Sequence, residues 1–432
     1  MAVEPGENLD RKSIAAWCTY DWANSPFPAI VLTFVIPAYF TQAVVGDPAT
    51  ATTWWAIMTG TAALTIAVLS PILGTIADQG RRRKPWLGVF TIIMALGSAL
   101  LWFVRPDPDH AMLLLVLVGV SIVAFELSMV FYNALLPTLV PRHWMGRISG
   151  WAWGLGYFGG VGGLLIVLFG FVQADPPPLG LDASGVALEH IRIAGPIVAL
   201  WLLVFCLPLF IWTRDPRGRG LAAGAAIRSG LSELRSTLAG LREHPQLWRY
   251  LLARMIFTDG LNTLFAFGGV FAAGTFGMPV AEVIMFGLVL NVTAGIGAFA
   301  FGWIDDRIGA KRTILLGLCG LVIVGVPLLL VESKIAFVIL GSILGIFFGP
   351  VQAASRSLMA RITPEGAAGE MFGLYALSGK ATAFVGPWLV ALITATTGSQ
   401  RWGMASVLPF LVIGGLLLWL TVRDVPPDRQ SR

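Results

Sequence analysis

The sequence predicts an all-α polytopic membrane protein with twelve transmembrane helices in two six-helix bundles. Three observations lead there: an apolar composition, twelve apolar runs of bilayer length, and a short charged cassette that occurs twice. Of 432 residues, 56% are hydrophobic and 12% charged, whereas soluble domains carry about 25% charged residues. A run of roughly 20 apolar residues spans ~30 Å of hydrocarbon. A backbone in lipid must also satisfy its own hydrogen bonds, which selects helices.

The runs are Ala15–Phe40, Trp54–Ile76, Pro85–Val104, Ala111–Leu136, Gly146–Val172, Ile193–Trp212, Leu247–Phe271, Ala281–Ile304, Thr313–Val331, Ile335–Met359, Glu370–Thr396 and Trp402–Val422. The cassette reads Gly74-Thr-Ile-Ala-Asp78-Gln-Gly80-Arg81-Arg82-Arg83-Lys84 in its first copy. Its second copy is Gly302-Trp-Ile-Asp305-Asp306-Arg307-Ile-Gly309-Ala-Lys311-Arg312. Glycines, an aspartate and clustered cations form a turn that hydrocarbon excludes, so each copy is expected to cap a helix pair. The copies lie about half a chain apart, which implies duplication.

Cation placement sets orientation. With the N-terminus inside, Arg11, Lys12, both cassettes, Arg142, Arg147, the central loop, Arg356, Arg361 and the C-terminal tail all fall on the cytoplasmic side. Only Arg105, Arg192, Lys334 and Arg401 fall opposite. Both termini are therefore expected in the cytoplasm, in a cell (inner) membrane. The net charge of +5 reflects topology rather than nucleic-acid binding. Cys18, Cys206 and Cys319 lie in apolar runs and imply no disulfide framework. The first run reads as an uncleaved spanning helix rather than a signal peptide.

The expected domains are 1–212, a linker 213–246, and 247–432. In the linker Leu231, Leu234, Leu238 and Leu241 recur at helical spacing, predicting an amphipathic helix on the cytoplasmic leaflet or, less simply, a partner-binding helix. The tails Met1–Asp10 and Asp424–Arg432 are expected to be disordered. Duplication extends beyond the cassettes. Pro141, Gly146, Gly150 and Gly156 have the spacing of Pro364, Gly369, Gly373 and Gly379, and Asp21-Trp-Ala-Asn24 echoes Asp259-Gly-Leu-Asn262. Parallel six-helix repeats about an axis along the membrane normal are a transporter build, with the site near the midplane.

The second cassette resembles, position by position, the major facilitator loop motif G-x-x-x-D-R-x-G-x-K/R; the first lacks one residue and has Gln79 for the usual Arg. Further segments resemble the "unknown major facilitator" group, which includes bacterial relatives of the fungal vacuolar amino-acid effluxer linked to autophagy. They are Tyr20-Asp-Trp-Ala-Asn-Ser25, Val130-Phe-Tyr-Asn-Ala-Leu-Leu-Pro137, Gly146-Arg-Ile-Ser-Gly150, Gly349-Pro-Val-Gln-Ala-Ala-Ser-Arg-Ser-Leu-Met359 and Phe372-Gly-Leu-Tyr-Ala-Leu-Ser-Gly-Lys380. The resemblance covers both halves. It implies a transporter working by alternating access, with amino acids favoured as cargo.

Ionisable groups inside membrane helices cost ~2.5–3.5 kcal/mol on insertion scales and usually face a polar interior. Asp259 falls about twelve residues into its helix, roughly 18 Å from the end, with Asn262 one turn on. Asp21 and Asn24 repeat this beside Pro26 and Pro28. In the family frame helices 1, 4, 7 and 10 line the cavity, so Glu126 joins the candidates. These groups form either a site for substrate or coupling protons, or a structural polar clamp. Carboxyls in low dielectric favour the protonated form, which suits Asp259, Asp21 and Glu126 to proton carriage. Lys380 has two readings: a ligand for a substrate carboxylate, or a partner neutralising one of these acids.

The family frame also brings each cassette to the start of the other half's helix 5 or 11. The cationic first copy, with Asp78 and Arg81, would meet Glu370. The second, with Asp305, Asp306 and Arg307, would meet Arg147. Opposite signs predict a cytoplasmic gate, and an aspartate at a helix N-terminus is favoured by the dipole.

Other motifs yield to context. Gly154-Leu-Gly156-Tyr-Phe-Gly159 matches a dinucleotide fingerprint but lacks the preceding strand; it reads as close helix packing. The four histidines lack metal-ligand spacing. Trp54, Trp55, Trp86 and Trp402 read as interface anchors, while Trp17, Trp22, Trp151 and Trp153 read as anchors or cavity lining. The expectation is a secondary transporter, not an enzyme, needing no cofactor or metal. Its partners are a small polar solute, the lipid bilayer and protons, with no nucleic acid, and it acts as a monomer. A lipid or amphiphile exporter and a non-transporting membrane sensor or scaffold are the alternatives.

Overall fold

The computed structural model describes residues 10–80, 82–182, 187–215, 221, 223–239 and 245–424; among these there is no strand. Among the described residues twelve helical segments are long and apolar enough to cross a membrane. They are α1 (Arg11–Val45), α2 (Pro48–Gly80), α3 (Arg83–Phe103), α4 (Pro108–Leu139), α5 (Arg142–Val172), α6 (Glu189–Trp212), α7 (Pro245–Phe276), α8 (Glu282–Ile308), α9 (Ala310–Leu330), α10 (Lys334–Ile362), α11 (Ala368–Thr397) and α12 (Gln400–Thr421). An even number of crossings leaves both chain ends on one face, here termed the terminal face. The expected tails fall mostly outside the described residues, as does Arg81.

Local chemistry shapes the first helix. Asp10 caps it, accepting the Ser13 hydroxyl at 2.6 Å and the Ser13 and Lys12 amides at 3.2 Å. The Ser13 hydrogen bonds hold the Asp10 carboxyl below the usual carboxylate range. The α-helix runs to Asn24. Past Pro26 it widens into π-helical turns over Phe27–Phe34, because Pro26 and Pro28 remove backbone donors.

Two expectations change. Each cassette does join a helix pair, as expected, but most of it is helical rather than turn. Helix continues through Asp78 to Gly80, and through Asp305 and Asp306 to Ile308; Gly309, at φ 91°, makes the break before α9. Only glycine takes that conformation without strain. Arg356 and Arg361, placed among the cytoplasmic cations above, are each 1% exposed and lie within α10. They bear on packing, not on loop charge.

A linker helix, Ala223–Ala239, packs on the end of α2, with Gly230 against Ile76. Leu234 is buried and Leu231 exposed. The Ser229 hydroxyl donates to the Gln79 side-chain oxygen at 3.4 Å, and the Gln79 amide donates to Glu233. Part of the predicted leucine stripe therefore faces protein rather than lipid. Leu241 falls outside the described residues. The glycine run of α5 packs on α1 at Trp22, Ser25 and Pro26.

Candidate functional site

At the terminal face the two halves meet twice, α5 against α8 and α2 against α11. At the first contact Asp306 accepts the backbone N–H groups of Gly146 (2.9 Å) and Arg147 (3.2 Å), and the Arg147 Nε at 2.6 Å. Arg361 Nη2 adds a contact at 3.2 Å, and its Nη1 pairs with Asp305, which the Ser357 hydroxyl reaches too. At the second contact Asp78 accepts the Glu370 N–H at 2.9 Å. Both copies thus place an aspartate on the N-terminus of a helix from the other half, where free N–H groups and the dipole favour a negative charge.

The cations differ from the expected arrangement. Asp78 takes Arg83, from its own half, at 2.7 Å, and Arg83 Nη1 donates onward to the Ala134 carbonyl. Glu370 gives Asp78 its backbone N–H while its side chain faces Thr237 of the linker helix, and its Oε1 has no partner among the described residues. Arg307 is exposed, and Arg361 stands where it was expected to act. Close approach replaces charge between α2 and α11. A Cβ on Gly74 would overlap the Gly369 carbonyl oxygen, and one on Gly369 would overlap that of Gly74.

Deeper in, Asp21 on α1 pairs with Arg356 on α10 at 2.9 Å, with side-chain exposures of 7% and 1%. Arg356 Nε donates to the Ser149 hydroxyl (2.9 Å), Nη2 to the Ser149 carbonyl (2.8 Å) and Nη1 also to Asn133 (3.3 Å). Its guanidinium carbon lies 4.8 Å from the Trp17 ring centre and 5.6 Å from those of Tyr132 and Trp153. Of the other tryptophans considered, Trp22 stacks on Trp201 and Trp151 lies edge-on to Trp303.

Nearer the midplane Glu126 on α4 and Lys380 on α11 pair at 2.6 Å, with side-chain exposures of 23% and 26%. Among the described residues this pair is more accessible than the buried Asp21–Arg356 pair, which also joins the halves. Lys380 ends the first segment of α11. The helix breaks over residues 381–384 and resumes as Val385–Thr397, whose packing partners are α7 and Gln400–Ala405 of its own half. Asn24 is buried and donates to the Met129 sulfur at 3.4 Å.

The repeated Asp259 and Asn262 do not reproduce the Asp21 environment. Asp259 is buried against the resumed half of α11, accepting the Gly386 N–H at 3.3 Å, and its Oδ1 has no partner among the described residues. Asn262 is half-buried one turn away. Arg254, also inside the membrane, donates to Tyr375 O and the Ser378 hydroxyl at 2.7 Å and lies 3.4 Å from the Tyr375 ring centre.

Sequence reasoning missed Arg361, which holds Asp305 and Asp306, and Arg356. The signal for Arg356 was available: an arginine within an apolar run that holds the small residues Ala353, Ala354 and Ser355 has to be paired inside the protein.

Residues 43–425 match the model of the family described as vacuole effluxer Atg22 like. The chain belongs to that family. It is 28% identical over 418 residues to an uncharacterized MFS-type transporter, YxiO of Bacillus subtilis, covering 96% of this chain and 95% of that protein. It is 23% identical over 287 residues to autophagy-related protein 22 of Cryptococcus neoformans, the match covering 62% of this chain and 48% of the fungal protein. Among solved structures it superposes on the proton:xylose symporter XylE with a TM-score of 0.74 at 13% identity, covering 96% of each chain. The same TM-score is reached, at 14% identity, with FucP in the outward conformation, covering 96% of this chain and 100% of that one. At such identities the likeness shows the fold, that of the major facilitator superfamily. The Atg22-like chain is an integral membrane transporter of that fold.

Proposed function

We propose that the protein is a secondary transporter that exports or exchanges a small zwitterionic solute, of which an amino acid is the simplest case, by alternating access. The terminal face is the cytoplasmic one and the membrane is the cell membrane. The structure then corresponds to a state closed toward the cytoplasm, sealed at Asp306–Gly146–Arg147 and Asp78–Glu370.

The Glu126–Lys380 pair carries this reading. Its two charges come from opposite halves at about mid-depth, and both side chains remain partly accessible. A pair so exposed is worth only ~0–1 kcal/mol, so a solute that brings an ammonium for Glu126 and a carboxylate for Lys380 replaces it at little cost. The buried Asp21–Arg356 pair is different. Breaking a buried pair by removing one partner costs ~3–5 kcal/mol, which suits a latch between the halves. A solute bridging Glu126 and Lys380 draws the halves together around itself, and its release lets them separate.

Asp259 is the proposed proton carrier. It is buried beside the break in α11, with one carboxyl oxygen unpaired among the described residues, so gaining or losing a proton there changes how the resumed half-helix is capped. The description of the family as vacuole effluxers favours export, and the charged pair favours a zwitterion over a lipid. The test is a solute panel on purified protein in liposomes with an imposed pH gradient. Amino-acid flux above that of empty liposomes supports the proposal; flux of lipids alone, or of nothing, overturns it.

A further inference from the structure

Arg356 enters its buried cluster from the second half of the chain, on α10, whose Ala353 carbonyl also accepts the Ser149 hydroxyl at 2.8 Å. Every acceptor it uses belongs to the first half: Asp21 Oδ2, Asn133 Oδ1, and the Ser149 hydroxyl and carbonyl. The aromatic walls, Trp17, Tyr132 and Trp153, belong there too. Two of the walls are fixed without Arg356. Trp17 Nε1 donates to the Tyr132 carbonyl and the Tyr132 hydroxyl to the Trp17 carbonyl, each at 3.0 Å, and the rings stack at 4.5 Å. The first half therefore carries a receptor with a carboxylate, three further acceptors and aromatic faces. Those are the elements that recognise a planar organic cation.

In the alternating-access reading, on which this inference rests, opening the terminal face withdraws α10 from α1, α4 and α5. Arg356 then leaves, and Asp21 stands in an aromatic pocket without its counter-charge. We propose that this pocket is a second binding site, specific for guanidinium-bearing solutes. Arg356 fills it when the terminal face is closed, and a free guanidinium fills it when that face opens. A solute bound there stabilises the open state, since it supplies the charge that Arg356 removes. The site is distinct from Glu126–Lys380, which both halves build.

The experiment titrates methylguanidine into purified full-length Arg356→Ala and follows the thermal unfolding midpoint, with sodium chloride as the ionic control. The expected result is a saturable rise. In Asp21→Asn/Arg356→Ala affinity should fall by about tenfold or more, the size of one charge-assisted hydrogen bond. Wild type should also bind about tenfold or more weakly, because Arg356 competes. No saturable rise in Arg356→Ala, or an equal rise in the double variant, overturns the proposal. Should Arg356→Ala fail to fold, the same titration on Asp306→Asn, which loosens the gate and leaves the pocket intact, is compared with Asp21→Asn/Asp306→Asn. Equal responses there overturn it too. Amino-acid flux through the wild type is measured in parallel. Flux without methylguanidine binding in the variants removes the pocket alone, and binding without flux of any solute removes the zwitterion-transport reading alone.

Discussion

Glu126 and Lys380 face each other at 2.6 Å across the boundary between the two halves, each with about a quarter of its side chain exposed (23% and 26%). The two helices pack against each other, and nothing in the sequence spacing of the pair connects its members. The pair separates a functional role from a structural one because the two roles predict opposite experimental signatures.

If the pair binds solute, Glu126→Gln and Lys380→Gln each lower exchange by more than about tenfold, the loss expected for one charged partner. The thermal midpoint moves little, because a partly exposed pair contributes ~0–1 kcal/mol. A purely structural pair gives the reverse: a lowered midpoint with exchange intact. Exchange flux and thermal unfolding on the same preparations distinguish them.

The contact at Asp306, the proposed gate, is more than a salt bridge, since Asp306 also accepts the Gly146 and Arg147 N–H groups and touches Arg361. Asp306→Asn should therefore widen the distance between spin labels on the terminal-face ends of α5 and α8. The exchanged pair Arg147→Asp/Asp306→Arg should restore closure only in part, because an arginine at 306 cannot accept those N–H groups and faces Arg361. Complete restoration would mean that charge alone closes this contact.

Between α2 and α11 the seal is backbone against backbone. Gly369→Val should leave the protein folded yet unable to close its terminal face, because the added atoms overlap the Gly74 carbonyl only when the halves meet. Spin-label distances between α2 and α11 should lengthen and exchange should stop. Wild-type distances in the folded variant would contradict the seal.

Asp259→Asn retains a side-chain oxygen to accept the Gly386 N–H, so folding should persist. Loss of the titratable group should abolish uptake driven by a pH gradient and spare solute exchange. Gradient-driven uptake at the wild-type level in Asp259→Asn would remove the proton role.

Much of the architecture was legible because it follows from solvent: apolar runs of bilayer length can only be helices, and a repeated cassette marks a repeated fold. The family resemblance, with the signs of charge at repeated positions, brought Arg147 and Asp306 together on paper. The remainder depended on which of two equivalent positions carries the charged group. Asn133 and Arg356 occupy corresponding places in the two halves, but only Arg356 crosses the boundary to reach Asp21, so the Asp21 environment has no copy at Asp259. The first cassette likewise looked like a cationic face for Glu370. Arg83 instead turns back onto Asp78, because a buried carboxylate at a helix end needs a counter-charge before its neighbours do. The helical state of both cassettes was hidden by their polarity, since helices continue past the hydrocarbon wherever the other half supplies partners.

The most direct measurement compares three solutes in exchange assays on reconstituted protein: an amino acid, the amine made by removing its carboxylate, and the acid made by removing its amino group. A site formed by Glu126 and Lys380 together predicts robust exchange of the amino acid and at least about tenfold less of either analogue. An analogue exchanged as well as the amino acid, or no exchange of any of the three, would contradict the account.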